Sequence, residues 1–306
     1  MTVSIVVPVL NEQDNLQPFF TVLQEIAGKL DADMEFIFVN DGSTDGSLHI
    51  LERMHEAHPC VHYVDFSRNF GKEAAILAGL ERSTGEFVAV MDADLQDPPE
   101  LLLEMHTLVA SGAYDMVGSR RISRTGESWL RSFCAKAFYW LIRRISRTQM
   151  IDGVRDFRLM SRPVVESVLE LREYNRFSKG LFSWVGYRVK YLEFENRKRV
   201  GGRSSWSFGG LAKYSVDGIM NFSNVPLQLA SYLGFLLSFL SIIGIGIVLY
   251  RTIVFGDPVA GWPSLVSIML LIGGLQLYGL GILGQYIGRI YLECKKRPHF
   301  IVRKAE

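Results

Sequence analysis

The segment EFVAVMDADLQDPP occupies residues 86–99 and joins an apolar run to a cluster of acids. Its first six residues have the composition of a buried strand. Four oxygen-bearing side chains follow it: Asp92, Asp94, Gln96 and Asp97. Crowded carboxylates repel one another unless a cation lies among them, and hard oxygen ligands suit Mg²⁺ or Mn²⁺, so the segment predicts a strand that ends in a divalent-cation site. The alternative is an acidic turn that caps a helix beginning near Pro98 and Pro99.

Strand and helix signals alternate on both sides of this segment. Strands are predicted at residues 3–9, 34–40, 61–66, 86–91, 115–118, 157–160 and 187–194, and helices at 11–29, 49–58, 72–83 and 98–111. This alternation predicts an α/β class with a Rossmann-like, mostly parallel sheet covered on both faces. Ligands bind such sheets beyond the carboxyl ends of the strands, where Asn11, Glu12, Asn40 and Asp41 also lie. Residues 1–200, where the strand and helix signals alternate, contain neither GxGxxG nor GxxxxGK[ST], which disfavours a dinucleotide fold and a P-loop NTPase.

The C-terminal third contains two runs without charged residues, at 225–250 and 264–288. Each is longer than the roughly 20 residues that a helix needs to cross a membrane, so two transmembrane helices are predicted. The tail beyond them is basic: Arg289, Lys295, Lys296, Arg297, Arg303 and Lys304. Because positive flanks stay in the cytosol, and because the N-terminus lacks the basic region of a signal peptide, both termini are expected inside a multi-pass protein.

Aromatic and basic residues are interleaved between about residues 127 and 147. This mixture predicts an amphipathic helix in the membrane interface, although packing against the sheet remains the alternative. The expected organisation is a catalytic-type domain at 1–200, a membrane-surface helix and linker at 201–224, and two membrane helices with a basic cytosolic tail at 225–306.

Overall composition excludes few classes of protein. The 306 residues carry a formal net charge of +1, which does not suggest a nucleic-acid partner. The three cysteines are odd in number and lack metal-ligand spacing, so we expect them to be reduced and structural.

Six motifs in order resemble a known family: VPVLNE, VNDGSTDGS, SRNFGKEAA, MDADLQDPP, GSRR and DFRLMSR. They resemble the family 2 glycosyltransferases of the GT-A fold. More closely, they resemble the polyprenyl-phosphate glycosyltransferases, a group that includes the bactoprenol glucosyltransferases of O-antigen glucosylation. The resemblance covers essentially the whole chain, including the two apolar runs and the KKRP tail.

The resemblance implies an enzyme that transfers a hexose, with inversion, from a UDP-sugar to a polyprenyl phosphate. Glucose and undecaprenyl phosphate are the expected substrates, Mg²⁺ or Mn²⁺ the expected cofactor, and the cytosolic face of a bacterial plasma membrane the expected location. N-acetylglucosamine, mannose or aminoarabinose would use the same motifs. A homo-oligomer is compatible with the resemblance.

The resemblance also assigns residues to the donor. The uridine would contact Pro8, Glu12 and Asp41, and the donor diphosphate would contact Arg199. Asp92 would lie near the ribose and the metal. The cation would be held chiefly by Asp94 and Gln96.

On the acceptor side, the resemblance assigns the lipid phosphate to Arg120 and Arg131, and the role of candidate base to Asp156. An alternative for Asp156 is a purely structural ion pair with Arg155 or Arg158. The acceptor, a phosphate monoester with a second pKa of about 6, is already largely a dianion at neutral pH, so strong base catalysis is not required.

Two other functions compete with this hypothesis. A processive polysaccharide synthase usually carries QxxRW and more membrane helices, but none of the five tryptophans here follows an arginine. A catalytically inactive membrane scaffold would not require the acids at 41, 92, 94 and 156.

Overall fold

The computed structural model describes residues 1–30, 32–122, 151, 153–195, 225–255 and 261–306. The chain divides into two compact units. The first comprises Met1–Gly218 together with Arg297–Glu306, and the second is Ile219–Lys296. The second unit is therefore inserted, in sequence, between two parts of the first.

An eight-stranded mixed sheet forms the centre of the first unit within the described residues. Its strands are β1 (Thr2–Val9), β2 (Asp33–Asn40), β3 (Val61–Phe66), β4 (Phe87–Val90), β5 (Met116–Arg121), β6 (Val154–Ser161), β7 (Val189–Phe194) and β8 (Val302–Ala305). Their order is β7-β5-β6-β4-β1-β2-β3-β8. Strands β4, β1, β2 and β3 run parallel to their neighbours in that group, and β5 runs parallel to β7. Strand β6 is antiparallel to β4 and β5.

Helices cover both faces of this sheet, as the sequence predicts. They are α1 (Gln13–Ala27), α2 (Ser47–Ala57), α3 (Lys72–Arg82), α4 (Leu101–Ala110), α5 (Arg162–Glu170) and α6 (Ser178–Trp184). One core layer joins α1, α2 and α4 to side chains such as Ile5 and Phe38, and the other joins α3 and α5 to side chains such as Val6 and Val39. The period-2 alternation of a strand thus sends neighbouring residues to opposite layers. The predicted α/β class is confirmed.

Helix α3 packs against β1 at a glycine. A β-carbon added to Gly79 would lie 2.2 Å from the Cγ1 of Val6. Since real β-carbons essentially never approach so closely, the absence of a side chain at this position lets α3 lie directly on the sheet. This close packing holds α3, which begins at Lys72, against β1.

The basic tail forms strand β8, which the sequence analysis did not anticipate. It lies antiparallel to β3 at the edge of the sheet, with Val64 opposite Ala305 and Asp65 opposite Lys304. The register shifts after this pair, so that Phe66 faces Val302. The extra residue between those two pairs forms a bulge on the tail strand.

The second unit contains two long helices, α7 (Val225–Phe255) and α8 (Trp262–Lys295), which contact each other. Many large apolar side chains on them are exposed, including Phe235, Ile253 and Leu277. Among the residues that the structure describes, one stretch, Leu227–Gly244, is long and apolar enough to cross a membrane. The predicted second crossing, at 264–288, falls within α8 and stays a prediction.

Candidate active site

Three loops at the carboxyl ends of β1, β2 and β3 are tied together by hydrogen bonds. Asn11 adopts a left-handed backbone conformation with φ of 55°, and its Oδ1 accepts a hydrogen bond of 2.8 Å from the Thr44 backbone N–H. The Asn11 N–H donates in turn to the Ser43 Oγ, at 2.9 Å. Asparagine tolerates this conformation better than most residues, which explains its place at the turn.

Asp41 fixes the third of these loops, the segment from Ser67 to Gly71 between β3 and α3. Its buried carboxylate accepts hydrogen bonds from the backbone N–H groups of Phe70, at 2.6 Å, and Gly71, at 2.9 Å. Burial raises the pKa of Asp41, although these two N–H groups act to lower it. Gly42 lies so close to this loop that an added β-carbon would be 2.5 Å from the Asn69 backbone nitrogen.

The other two residues predicted to contact uridine lie at the end of β1. Pro8 belongs to that strand and pairs with Val39 of β2. Glu12 precedes α1; its backbone N–H donates to the Ser47 Oγ at 3.0 Å, and its Oε2 accepts from the Asn15 amide at 2.5 Å. The loops thus bring Glu12 and Asp41 to one edge of the sheet.

Lys72, the first residue of α3, joins two acids that come from different strands. Its Nζ lies 2.6 Å from an Asp92 carboxylate oxygen, beyond β4, and 2.5 Å from the Asp156 Oδ2, within β6. The antiparallel pairing of β4 with β6 brings these acids together. Burial acts to lower the pKa of Lys72, but the two carboxylates outweigh it and raise that pKa, so the ammonium stays charged.

Asp156 lies in a strongly cationic environment. The Lys179 Nζ is 3.8 Å from its Oδ1, in addition to the contact from Lys72. Burial acts to raise the pKa of Asp156, but the two lysine charges hold it well below its usual range. Arg158 donates to the backbone oxygen of Asp156 at 3.1 Å, and its guanidinium stacks on the ring of Phe182. Asp156 therefore carries a negative charge at any physiological pH.

The acidic loop after β4 is tightly folded around a strained residue. Leu95 has φ of 53°, and the Asp94 Oδ1 accepts a hydrogen bond of 3.1 Å from the Gln96 N–H across it. Arg155, on β6, donates to the Asp97 Oδ1 at 2.9 Å and to the Gln96 Oε1 at 3.2 Å. Left-handed conformations of non-glycine residues persist only where their surroundings impose them, and they cluster at functional sites.

This loop has the donor chemistry for a divalent cation. Asp94 and Asp97 are each only 4% exposed, and within the described chain the Asp97 Oδ2 has no hydrogen-bond partner. Burial raises the pKa of Asp97 in spite of Arg155, so a further positive charge would stabilise its carboxylate. No ready-made cage exists: across the described ranges, no group of three or more His, Cys, Asp or Glu side chains is arranged to hold a metal. For Asp92, Asp94 and Gln96 to hold the ion, two of them would have to share an oxygen with it or give up an existing contact. Asp92 is bound to Lys72, and the Gln96 Oε1 is bound to Arg155.

Three predicted site residues remain, the arginines assigned to the phosphates. Arg120, on β5, forms an ion pair of 3.0 Å with Glu193 of β7. Arg131, Arg199 and the expected interfacial helix at 127–147 lie outside the described residues. Sequence reasoning missed Lys72 and the contacts of Arg155, although SRNFGKEAA and the Arg-Asp pair at 155–156 contained both residues.

Comparison with known proteins gives the class to which this fold and site belong. The model of the family described as "Glycosyl transferase family 2" matches residues 4–169, more than half of the chain, and the chain belongs to this family. This chain is 44% identical over 303 residues to the putative glycosyltransferase CsbB of Bacillus subtilis, covering 99% of this chain and 92% of that protein. It is 40% identical over 306 residues to the bactoprenol glucosyl transferase of Shigella phage SfX, covering 100% of both.

A solved structure supports the fold. The glucosyl-3-phosphoglycerate synthase of Mycobacterium tuberculosis superposes with a TM-score of 0.50 at 18% identity, covering 72% of this chain and 78% of that chain. The family match and the full-length relatives confirm the resemblance to family 2 glycosyltransferases that the six motifs indicate.

Proposed function

We propose that this enzyme transfers glucose from UDP-glucose to undecaprenyl phosphate at the cytosolic face of a bacterial plasma membrane. The observation that carries the proposal is the 40% identity, over the full length of both chains, to a protein named bactoprenol glucosyl transferase. The site described above supplies the physical reasons that support it.

The donor half of the proposal rests on the loops after β1, β2 and β3. A uracil N–H would donate to the Asp41 carboxylate, whose oxygens retain acceptor capacity beyond the two backbone N–H groups that they bind. Pro8 and Glu12 would complete the base pocket, and Arg199 would contact the diphosphate. Asp94, Gln96 and Asp92 would hold Mg²⁺ or Mn²⁺, which when bound supplies charge neutralisation for the leaving diphosphate.

The acceptor half of the proposal rests on the charged residues around Asp156, near the start of β6. An acceptor phosphate oxygen would form a bond to the anomeric carbon as the bond from that carbon to the UDP oxygen breaks on the opposite face, which inverts the centre. The attacking dianion carries no proton that must be removed, so Asp156 would orient the acceptor through the lysines it binds rather than act as an essential base. Lys72 and Lys179 add positive charge on this side, and Arg120 and Arg131 would bind the lipid phosphate.

Strand topology supports a hairpin of two membrane crossings. Residues before and after the second unit belong to one sheet, because β8 pairs with β3. Both flanks of the inserted unit must therefore lie on the same side of a membrane, so the insertion crosses it an even number of times. If Leu227–Gly244 crosses the membrane, a return crossing by α8 would satisfy this requirement. The basic tail assigns the cytosol to that common side.

Identifying the lipid product tests the proposed function. Purified enzyme would be incubated with undecaprenyl phosphate, Mg²⁺ or Mn²⁺, and one sugar nucleotide at a time: UDP-glucose, UDP-N-acetylglucosamine, GDP-mannose or UDP-aminoarabinose. The mass of the extracted lipid product would then be measured by mass spectrometry. We expect one hexose added from UDP-glucose. Preferred use of another donor would contradict glucose as the transferred sugar. An insoluble polymer would indicate a processive synthase, and donor binding without turnover would indicate a scaffold.

A further inference from the structure

The tail strand β8 is held by contacts beyond the backbone ladder. The ring of Phe300 stacks on that of Phe66, with centroids 4.9 Å apart and planes 13° apart. The Ser67 N–H donates to the Ile301 carbonyl at 3.0 Å. The side chain of His299 stacks on Tyr174. The tail thus contacts β3 and the first residue of the loop that follows it.

Arg303 is the bulged residue of this strand, and it reaches the same place. Its Nη2 donates to the Ser67 carbonyl oxygen at 3.0 Å, and its Nη1 lies 3.6 Å from the Asp65 Oδ2. Asp65 is buried, and its other oxygen accepts a hydrogen bond of 2.7 Å from the Asn40 amide. Bulges redirect a side chain out of the regular alternation, which explains how one arginine reaches both groups.

These contacts lead directly to the proposed donor pocket. Asn40 precedes Asp41, and its Oδ1 accepts from the Ser43 N–H at 3.3 Å. Ser67 begins the loop whose N–H groups at 70 and 71 bind the Asp41 carboxylate. Within this loop the Phe70 ring packs edge-on against Phe66, the residue that stacks on Phe300. The tail therefore contacts the loop that binds Asp41 directly, through Ser67, and the Asn40 segment indirectly, through Asp65.

We infer that the C-terminal strand positions the donor site, with Arg303 holding the β3–α3 loop and the Asp65–Asn40 pair in the geometry that binds the nucleotide. Arg303 is a positioning residue, since it acts through Ser67 and Asp65 and contacts neither of the acids at 92 and 156. The inference rests on the proposed function, because it assigns the nucleotide to the Asp41 pocket. Its physical basis is that Arg303→Ala removes the ion pair to the buried Asp65 carboxylate and the hydrogen bond to the Ser67 carbonyl.

The chain offers a matched control on the same strand. Lys304 is the next residue and carries the same charge, but its Nζ pairs with the partly exposed Glu52 of α2 at 3.5 Å and lies over the ring of Tyr63. Lys304→Ala removes one positive charge from β8, and the side chain that it removes contacts Glu52 and Tyr63 rather than Ser67 or the Asp65 carboxylate. Arg303→Lys keeps the charge and loses the fork that reaches two acceptors at once.

The test measures UDP-glucose binding by calorimetry and steady-state kinetics on four full-length proteins: wild type, Arg303→Ala, Arg303→Lys and Lys304→Ala. We expect Arg303→Ala to raise the donor Kd and donor KM by about tenfold, the size of effect typical of one charge-assisted hydrogen bond. The acceptor KM and kcat should change by less than about twofold, Arg303→Lys should fall between the alanine variant and wild type, and Lys304→Ala should match wild type.

The outcomes separate this inference from the function on which it rests. Equal donor affinity in wild type and Arg303→Ala would overturn the positioning role while leaving the proposed function intact. Equal losses in Arg303→Ala and Lys304→Ala would also overturn it, because they would indicate a general effect of charge. Wild-type protein that does not bind UDP-glucose would overturn the proposed donor and the inference together.

Discussion

Lys72 exerts the largest effect among the positive charges that act on Asp156. Its ammonium lies between Asp92 and Asp156 and holds the pKa of Asp156 well below its usual range, against the opposing effect of burial. A carboxylate with a depressed pKa contributes stability that is complete above the unfolded-state value, about 4, and is lost only as the pH falls through the folded-state value. Asp156 therefore does not titrate between pH 5 and about pH 8.

The pH dependence of transfer should accordingly report the acceptor. We expect the rate to fall below about pH 6, where the lipid phosphate takes up its second proton. Asp156→Asn should lower kcat by less than about 100-fold, below the usual range for loss of a general base, and keep the same acid limb. The measurement is kcat/KM for the lipid against pH in both proteins. Loss of the acid limb in Asp156→Asn would identify Asp156 as the titrating base and contradict this account.

Asp94 should be required for metal binding. We expect saturating Mn²⁺ to raise the unfolding temperature of the wild-type protein in detergent, because a ligand that binds only the folded state stabilises it. Asp94→Asn should remove that increase, since it replaces a buried anionic ligand by a neutral amide. Asp115→Asn is the control, because Asp115 pairs with Arg188 in a different part of the sheet. Equal stabilisation of Asp94→Asn and wild type would exclude Asp94 as a ligand.

Sequence alone could identify the acids but not their partners. Asp92 and Asp94 follow an apolar strand, a local pattern that needs no tertiary information. Asp92 and Asp156 are 64 positions apart in sequence. They come close to each other only because β4 and β6 pair in antiparallel fashion. The role of Lys72 as their shared counter-ion follows only from that pairing.

At the scale of elements, the contact between α3 and β1 should be intolerant of a side chain. We expect Gly79→Ala to lower the free energy of unfolding by about 1–3 kcal/mol, because its β-carbon would overlap Val6. Combined with Val6→Ala, the total loss should be smaller than the sum of the single losses, since the smaller side chain makes room. Urea unfolding in detergent measures all three variants.

Gly28→Ala provides the control for this prediction. The position has ordinary van der Waals space, with the nearest backbone oxygen 3.7 Å from an added β-carbon, and α-helical φ. Its effect should stay within about 0.5 kcal/mol. If the losses in the free energy of unfolding from Gly79→Ala and Val6→Ala were strictly additive in the double variant, the added β-carbon would not be colliding with the Val6 side chain.

The apolar strands of the sheet could be predicted, whereas its last strand could not. Runs such as those at 3–9 and 61–66 are rich in β-branched or aromatic residues and are largely buried, so the local pattern predicts them. The sequence VRKA of β8 is short, charged and largely exposed. Its pairing with β3 joins residues more than 200 positions apart, as in the bond from Arg303 to Ser67, and no local pattern carries that information.

At the scale of the whole molecule, the insertion of the second unit makes a prediction about membrane topology. In a variant whose native cysteines are replaced by serine, we would introduce Asp14→Cys, Asp257→Cys or Glu306→Cys and apply a membrane-impermeant maleimide to spheroplasts. We expect labelling of the Asp257→Cys protein in intact spheroplasts, and of the other two only after permeabilisation. Labelling of Glu306→Cys but not of Asp14→Cys in intact spheroplasts would contradict the even number of crossings, and labelling of both would contradict the cytosolic side.

The central claim is that the acids at the end of β4 direct a soluble sugar nucleotide to a lipid phosphate. Its most direct test is the incorporation of radiolabel from UDP-[¹⁴C]glucose into undecaprenyl phosphate by the purified enzyme. We predict a lipid-soluble product with one glucose for the wild type, loss of that product on adding EDTA, its recovery with excess Mn²⁺, and none from Asp94→Asn. Undiminished product from Asp94→Asn, or no lipid product from the wild type under any metal condition, would contradict the account.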